Sequence, residues 1–235
     1  MAFNEPPLME ACRTGNVSAV PPILTSYTWA SDADRDVLKE CLMAVCNSHQ
    51  GSPTEKRAIA NMLLNSLKGT SLGVLGRALI AACRHGHMEL ASLLLDHGAN
   101  PNYRSFGPPL IMVCSLDDPR AFARMLLDRG ADPRLCDDWG RTPLHHATLV
   151  IHDGYVKRRV DLVRLLLDRT AGSTIYWKDR HGRTALDLAQ HPRMYALLRK
   201  HFTIVVRKCV IGGNAEHPSR NRMKHLAPRM ASFLI

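Results

Sequence analysis

Histidine, cysteine and aspartate side chains are the groups of this chain that could bind a metal or act in catalysis. The densest group is Cys136, Asp138, His145 and His146, and all four residue types are common metal ligands. No second set of spaced ligands completes a four-fold coordination there. The seven cysteines of the chain are odd in number and show no short paired spacing, which argues against a disulfide framework or a zinc knuckle. We therefore predict neither a metal nor another cofactor.

The sequence also lacks a convincing set of catalytic residues. No glycine-rich phosphate loop follows a strand pattern, and no pair of carboxylates stands out. Only Cys41, Cys136 and Cys209 lack an explanation from the repeated pattern described next. We predict that the protein is not an enzyme.

The other four cysteines belong to an internal repeat, which identifies the elements that carry these side chains. Each unit has a Leu, three residues, a small residue or Cys, a turn and a Leu-rich run. The units begin at Leu8, Leu42, Leu79, Leu110, Leu144 and Leu186, with spacings of 34, 37, 31, 34 and 42 residues. A period in this range is typical of solenoids. Four cysteines lie four positions after the first Leu of their units, and we predict that they are small apolar core residues: Cys12, Cys46, Cys83 and Cys114.

Helix start and stop signals divide each unit into two helices and a projecting turn. Thr142 and Thr184 are suited to helix N-caps, and Pro143 follows at the first helical position, where its missing N–H costs nothing. Gly98 and Gly130 follow the Leu-rich runs and can end a helix in the left-handed conformation. Extra residues at 49–56 and 151–159 fall between the two helices of their units. They could form part of a binding face, or they could be ordinary surface loops.

The best units resemble the ankyrin repeat. The resemblance covers residues 4–202 and rests on the segments Thr142-Pro-Leu-His145, Gly182-Arg-Thr-Ala-Leu186, Gly98-Ala-Asn100 and Gly130-Ala-Asp132. It implies an all-α ankyrin-repeat solenoid of about six repeats, with divergent first and last repeats as caps. It also implies that His145 forms hydrogen bonds around a helix start, and that the protein binds a target protein.

The repeat does not require large aromatic or Arg side chains on its projecting turns. Such residues supply most of the anchor energy at protein interfaces, typically about 2 kcal/mol or more for each hot spot. The alternative for each is partial burial against the adjacent turn. Trp139 is the strongest candidate among the predicted partner-binding residues, which are Tyr103, Arg104, Phe106, Trp139, Arg141, Trp177 and Arg183.

Residues 198–235 carry two apolar patches and resemble a SOCS box, the C-terminal element of ankyrin repeat and SOCS box proteins. The chain matches the spacing of that family's elongin-binding helix at Leu198, Phe202, Val206 and Arg207. The segment 226–234 resembles the family's ending, at Leu226, Pro228, Met230, Phe233 and Leu234. The resemblance implies a small helical box that binds elongin B/C and, through them, a cullin.

Two alternatives remain for this C-terminal segment. Phe202 to Ile211 could extend the cap helix over the last repeat, with the chain end folded back on it. The segment could instead bind nucleic acid, because the chain has a net charge of +10 and residues 203–235 hold six Lys/Arg and one Glu. No aromatic residues interleave these basic ones before Phe233, so we do not expect a nucleic-acid partner.

The sequence thus predicts a protein-binding module, and most specifically an adaptor that recruits a substrate to an elongin-cullin ubiquitin ligase. The main alternative is a plain ankyrin scaffold or inhibitor with an extended C-terminal cap. No run of 18 apolar residues is present and the N-terminal ten residues do not resemble a signal peptide. We therefore expect a cytoplasmic or nuclear protein that does not bind membranes.

Overall fold

The computed structural model describes residues 7–26, 32–67, 72–149 and 153–211. Their regular structure is helical, with no strand in these ranges. The helices are α1 (Pro7–Thr14), α2 (Val20–Ser26), α3 (Asp32–Asn47), α4 (Pro53–Ser66), α5 (Leu72–Arg84), α6 (Met88–Asp96), α7 (Pro109–Val113), α8 (Arg120–Asp128), α9 (Pro143–Thr148), α10 (Val156–Arg169) and α11 (Pro192–Ile211). Short 3-10 turns precede α2 and α10, at Val17–Ala19 and Asp153–Tyr155.

The helices form five consecutive hairpins and a final single helix. The first helices pack side by side in the order α1, α3, α5, α7 and α9, and among the second helices α2 contacts α4, α4 contacts α6, and α8 contacts α10. One hydrophobic core runs along the stack, from Leu8 in α1 to Leu198 in α11. Each hairpin buries its apolar face only against its neighbours, as in other solenoids.

The repeated cysteines are core residues, as predicted. Cys12, Cys46, Cys83 and Cys114 are all buried between helices. Burial raises the pKa of the Cys46 and Cys114 thiols to about 12. These thiols therefore stay protonated and unreactive at neutral pH. Cys41 is also buried, although the repeat did not explain it.

The predicted helix signals are confirmed at most positions. Gly98 and Gly130 adopt φ values of +86° and +88° directly after α6 and α8, a conformation that favours glycine. The Thr142 hydroxyl lies 2.8 Å from Nδ1 of His145 at the start of α9. Pro143 occupies the first helical position of α9.

Three boundaries differ from the sequence prediction. Helix α3 begins at Asp32, ten residues before Leu42, in a segment that matched no repeat element. The extra residues at 49–56 include the first turn of α4, because Ser52 caps that helix and Pro53 begins it. Thr184 exchanges hydrogen bonds with Asp187 as a helix cap does, yet residues 185–188 form only a turn.

The last helix agrees with one of the alternatives for the C-terminal segment. Helix α11 runs without a break from Pro192 to Ile211, so residues 202–211 extend the cap helix. Its Leu198 is fully buried, and Phe202 and Val205 pack against the same core. Val205 also lies over Gly172, where a Cβ atom would approach Val205 Cγ2 to 2.7 Å. Residues 198–205 thus close the last repeat.

Among the described residues, no helix combines the length and apolar character needed to cross a bilayer.

Candidate protein-binding surface

In the described part of the chain, three turns project where one repeat is followed by the next, and together they form what we call the finger surface. We name them the first finger (residues 100–107), the second finger (132–141) and the third finger (176–183). They lie at the end of the hairpins where one repeat passes to the next. All the aromatic and Arg residues predicted to bind a partner are in them.

The second finger is organised around the buried carboxylate of Asp137. Its Oδ1 accepts hydrogen bonds from the backbone N–H of Trp139 at 2.9 Å and of Arg141 at 2.8 Å. Its Oδ2 lies 2.8 Å from Nε2 of His146 in α9. Gly140 completes the turn with φ of +74°. This geometry fixes the backbone on both sides of Trp139.

The third finger repeats this design around Asp179. Its Oδ1 accepts from the backbone N–H of His181 and of Arg183, both at 2.9 Å. The Arg183 guanidinium donates to Oδ2 from Nε at 3.1 Å and from Nη2 at 2.9 Å. Burial opposes ionisation of this carboxyl, but these N–H groups and the charge of Arg183 outweigh it and lower the pKa of Asp179 to about 2. The carboxylate is therefore ionised across the physiological pH range.

The three fingers are joined to one another by hydrogen bonds. Asn102 donates to the carbonyl of Gly130 at 2.9 Å and accepts from the N–H of Asp132 at 2.7 Å, which links the first and second fingers. The N–H of Arg180 donates to the carbonyl of Trp139 at 2.9 Å, which links the second and third. The finger surface is thus one connected backbone layer rather than three independent loops.

His145 adds a buried link beneath this layer. The N–H of Thr142 donates to its Nδ1 at 3.1 Å, and its Nε2 lies 3.3 Å from the carbonyl of Arg183. This pattern requires the neutral tautomer with the proton on Nε2. Burial lowers the pKa of His145, which favours the same neutral form. His145 therefore acts at a helix start, as the resemblance implied.

The first finger is fixed by its fit to α5. The ring of Tyr103 lies directly on Gly76, where a Cβ atom would come within 2.2 Å of Tyr103 Cγ. Arg104 donates from Nη2 to the carbonyl of Cys136 at 3.1 Å, so its guanidinium spans to the second finger. Tyr103 is consequently half-buried, whereas Phe106 at the end of the turn is 70% exposed.

The other predicted partner-binding residues divide into exposed and engaged ones. Trp139 is 55% exposed at the tip of the second finger. Trp177 is partly buried against the core and does not project. Arg183 is bound by Asp179, and Nε of Arg141 lies 3.6 Å from the same carboxylate. Phe106 and Trp139 are therefore the large apolar groups that the fingers present to solvent.

Two organising residues of this surface, Asp137 and Asp179, were not singled out from the sequence. A signal for them exists, because each begins the same pattern of Asp, two residues, Gly, Arg and Thr, at 137–142 and 179–184. The glycine supplies the positive φ of the turn, and the aspartate accepts the N–H groups of the residues two and four positions later.

Both histidines considered for metal binding have other partners. His145 and His146 are bound as described above, and Cys136 is only partly buried. Within the described ranges, no group of three or more His, Cys, Asp or Glu side chains is placed to hold a metal ion.

The predicted elongin-binding residues lie on α11. Leu198 faces the core with no exposed surface, and Phe202 packs against the core with part of its ring exposed. Val206 lies on the last part of the helix, beyond the side chains that the structure describes. The five residues predicted for the C-terminal box, Leu226, Pro228, Met230, Phe233 and Leu234, lie outside the described residues.

Stacked helix hairpins with projecting turns define a solenoid of the ankyrin type, and the comparison with family models agrees. The model described as "Ankyrin repeats (3 copies)" matches residues 42–135 and 110–208. The chain therefore belongs to the ankyrin-repeat family, whose repeats serve as protein-protein interaction modules.

Two of the curated relatives are named as putative ankyrin repeat proteins, YahD of Escherichia coli and FPV031 of fowlpox virus. The chain is 34% identical over 129 residues to cyclin-dependent kinase inhibitor 2A of Monodelphis domestica, covering 53% of this chain and 70% of that protein. The matched region covers only 12% of the ADP-ribosylation factor GTPase-activating protein AGD2 of Arabidopsis thaliana and 5% of the inactive serine/threonine-protein kinase TEX14 of Mus musculus.

Solved structures support the fold at lower identity. The human ASB11 ankyrin repeat domain superposes with a TM-score of 0.56 at 22% identity, over 84% of this chain and 98% of that domain. The ankyrin repeat domain of Bcl-3, described as a member of the IkappaB protein family, gives 0.56 at 20% identity, over 83% and 99%.

Proposed function

We propose that this protein recruits a target protein through its finger surface, with Trp139 and Phe106 as the anchors. The observation that carries the proposal is the exposure of these two rings, 55% for Trp139 and 70% for Phe106. The turn that carries Trp139 is also held by hydrogen bonds to the Asp137 carboxylate. An exposed ring on a fixed turn is poorly explained by folding, since it buries little there. It is well suited to fill a pocket in a partner.

Rigidity of the fingers strengthens this proposal. Association costs free energy wherever loops and side chains must be ordered, and a surface that is already ordered avoids part of that cost. The backbone of the second finger is held by the Asp137 carboxylate and by the link from Arg180 to the Trp139 carbonyl. Binding at Trp139 then requires ordering of little more than one side chain.

A comparative capture experiment tests the finger surface. The full chain, a Phe106→Ser/Trp139→Ser variant and a Met88→Ser control would be immobilised and exposed to one cell lysate, with bound proteins quantified by mass spectrometry. Met88 is exposed at the start of α6 and lies outside the fingers. We expect the captured amount of specific partner proteins to fall at least tenfold with the finger variant and to stay unchanged with the Met88→Ser control. Equal capture by all three would contradict the proposal.

The more specific role that we propose is that of an adaptor for an elongin-cullin ubiquitin ligase. Its support is the likeness of residues 198–234 to a SOCS box. The burial of Leu198 adds a condition, because elongin C could use that residue only if α11 leaves the last repeat. Contacts from Val206 onwards would not require such a change.

The alternative is a plain ankyrin scaffold or inhibitor, and the continuous packing of α11 favours it. Co-expression with elongin B and C, followed by size-exclusion chromatography, separates the two roles. The adaptor role predicts co-elution of the full chain, loss of co-elution in Val206→Asp, and no loss in Arg57→Asp, an exposed charge change on α4. A soluble full chain that elutes without elongins would leave the scaffold role.

A further inference from the structure

Helix α11 separates its side chains into two stripes. The inner stripe, at positions 194, 197, 198, 202 and 205, packs against the last repeat. The outer stripe consists of Tyr195, Ala196, Arg199, Lys200, Thr203 and Ile204, and these six residues line a shallow groove. The spacing of the outer stripe, three and four residues apart, places all six on one side of the helix.

The outer stripe combines exposed apolar groups with positive charge. Tyr195 is 39% exposed and Ile204 is 40% exposed, although both are large and apolar enough for a core. Arg199 and Lys200 lie between them and are also exposed. The whole of α11 contains no Asp or Glu to neutralise these charges.

We propose that this outer stripe is a second protein-binding surface, which takes an acidic segment of a partner with an aliphatic anchor residue. Arg199 and Lys200 would pair with the partner's carboxylates, while Tyr195, Ala196 and Ile204 cover its apolar side chain. The stripe from residue 195 to 204 is about 14 Å long at 1.5 Å per residue. That length fits a partner segment of two to three helical turns.

The rest of this chain is a poor occupant for the groove. Residues 212–235 contain Arg220, Arg222, Lys224 and Arg229 but only one acid, Glu216. A segment of the same sign of charge as the outer stripe is repelled by it. Charge complementarity therefore favours a separate, acidic partner.

Other classes of partner fit the stripe less well. Nucleic acid would pair with the two cations but would leave Ala196 and Ile204 without an apolar contact, and the stripe holds one aromatic ring for stacking. A bilayer would need a broad apolar face, but the apolar residues at 194, 198 and 202 are engaged with the core. An acidic protein segment satisfies both the charged and the apolar residues.

Binding to a defined probe tests this surface. The probe is a fluorescein-labelled 16-residue helical peptide with four Glu and two Leu on one face, and its partner probe has every Glu replaced by Gln. Anisotropy titrations would use the full chain at low and at physiological salt. We expect the Glu probe to bind at least tenfold more tightly than the Gln probe, with weaker binding at higher salt.

Variants then locate the binding. Arg199→Glu/Lys200→Glu should weaken binding of the Glu probe at least tenfold, and Ile204→Ser about threefold. Arg57→Glu on α4 and Phe106→Ser/Trp139→Ser on the fingers should change it by less than twofold. The finger variant also separates this proposal from the proposed function, since each can fail while the other stands. Arg199→Gln/Lys200→Gln provides an intermediate case if the charge reversal unfolds the helix.

Four outcomes would overturn the proposal. Equal binding of the two probes, or unchanged binding in the charge-reversed variant, would do so. Tighter binding of a 20-nucleotide DNA duplex or of vesicles with 30% phosphatidylserine, lost in the same variant, would assign the stripe to another partner class. Hydrogen exchange of the full chain gives the last test: faster exchange across 212–235 in Tyr195→Ser/Ile204→Ser would mean that the chain's own end occupies the groove.

Discussion

The two ends of the hairpins bury charges of opposite sign and hold them differently. At the finger surface, the carboxylates of Asp137 and Asp179 accept backbone N–H groups of their own turns. At the other end, where the two helices of one repeat join, the buried charge is the ammonium of Lys56. Its Nζ donates to the carbonyl of Ser48 at 2.6 Å and lies 3.1 Å from Nε2 of His87.

The two kinds of buried charge respond differently to pH. An aspartate bound by fixed N–H groups stays ionised far below neutral pH, as the pKa of about 2 for Asp179 indicates. Lys56 instead shares its site with the imidazoles of His85 and His87, and burial lowers the pKa of both. His49 and His85 add an edge-to-face ring contact at 4.9 Å, and His85 stacks near His87 at 6.1 Å. The Asp179 carboxylate of the finger surface therefore keeps its charge at pH values where His85 and His87 change theirs.

The largest expected effect tests how strongly the carboxylates hold the fingers. Asp137→Ala leaves the N–H groups of Trp139 and Arg141 and Nε2 of His146 without their acceptor. We expect the free energy of unfolding to fall by about 2–3 kcal/mol, measured by urea denaturation. Asp138→Ala is the matched control. Asp138 is the exposed neighbour of Asp137, and its substitution should change the free energy of unfolding by less than about 0.5 kcal/mol. Equal effects of the two substitutions would contradict the role of Asp137.

The second prediction tests the fit that fixes the first finger. Gly76→Ala would place a methyl group within 2.2 Å of Tyr103 Cγ, so the ring must move off α5. We expect a loss of about 2 kcal/mol by urea denaturation. Gly73→Ala lies one turn earlier in α5, where a Cβ atom comes no closer than 4.0 Å to Tyr103 Oη. That control should gain about 0.5–1 kcal/mol through helix propensity.

A double-mutant cycle identifies the cause of the loss at Gly76. If crowding of the Tyr103 ring is responsible, Gly76→Ala should cost little once Tyr103 is already Ala. A full cost in the Tyr103→Ala background would place the strain elsewhere in α5.

Local patterns predicted the parts of this molecule that depend on local chemistry. The caps at Thr142 and Gly98 and the buried position of Cys83 follow from the residue and its place in the repeat. The long span of α11 was only one of the alternatives, because the apolar residues at 202–211 fit both an extended cap helix and a separate box. The start of α3 was not predicted, because its acid-rich first turn at Asp32 lacks an apolar period.

The sites depended on contacts between distant residues, which periodicity does not reveal. Tyr103 looked like a free aromatic on a turn, and only the absence of a side chain at Gly76, 27 positions earlier, gives its ring a place on α5. Lys56 lies at a polar helix start, yet it is buried because Ser48 and His87 come from other turns. Trp139 was predicted as exposed from its turn alone, and its exposure is confirmed.

The smallest expected effect concerns the titratable end. Burial lowers the pKa of His85 and of His87, and the positive charge of Lys56 lowers both further. Other groups facing them are His49 and, for His85, Arg84. Below the ordinary pKa of about 6.5 the unfolded chain takes up protons that these folded histidines do not, so the free energy of unfolding falls as pH falls from 6.5 through their lowered pKa values.

His87→Gln should remove part of this acid loss and leave stability at pH 8 nearly unchanged. A glutamine amide can accept from Lys56 Nζ and donate to the Ser48 carbonyl, but it takes up no proton near pH 6. Urea denaturation between pH 5 and 8 would give a shallower slope than that of the unsubstituted protein. His181→Gln, on the exposed third finger, should keep the original slope. If His87→Gln and His181→Gln give the same slope, protonation beside Lys56 does not limit stability in acid, and the contrast between the two ends has another cause.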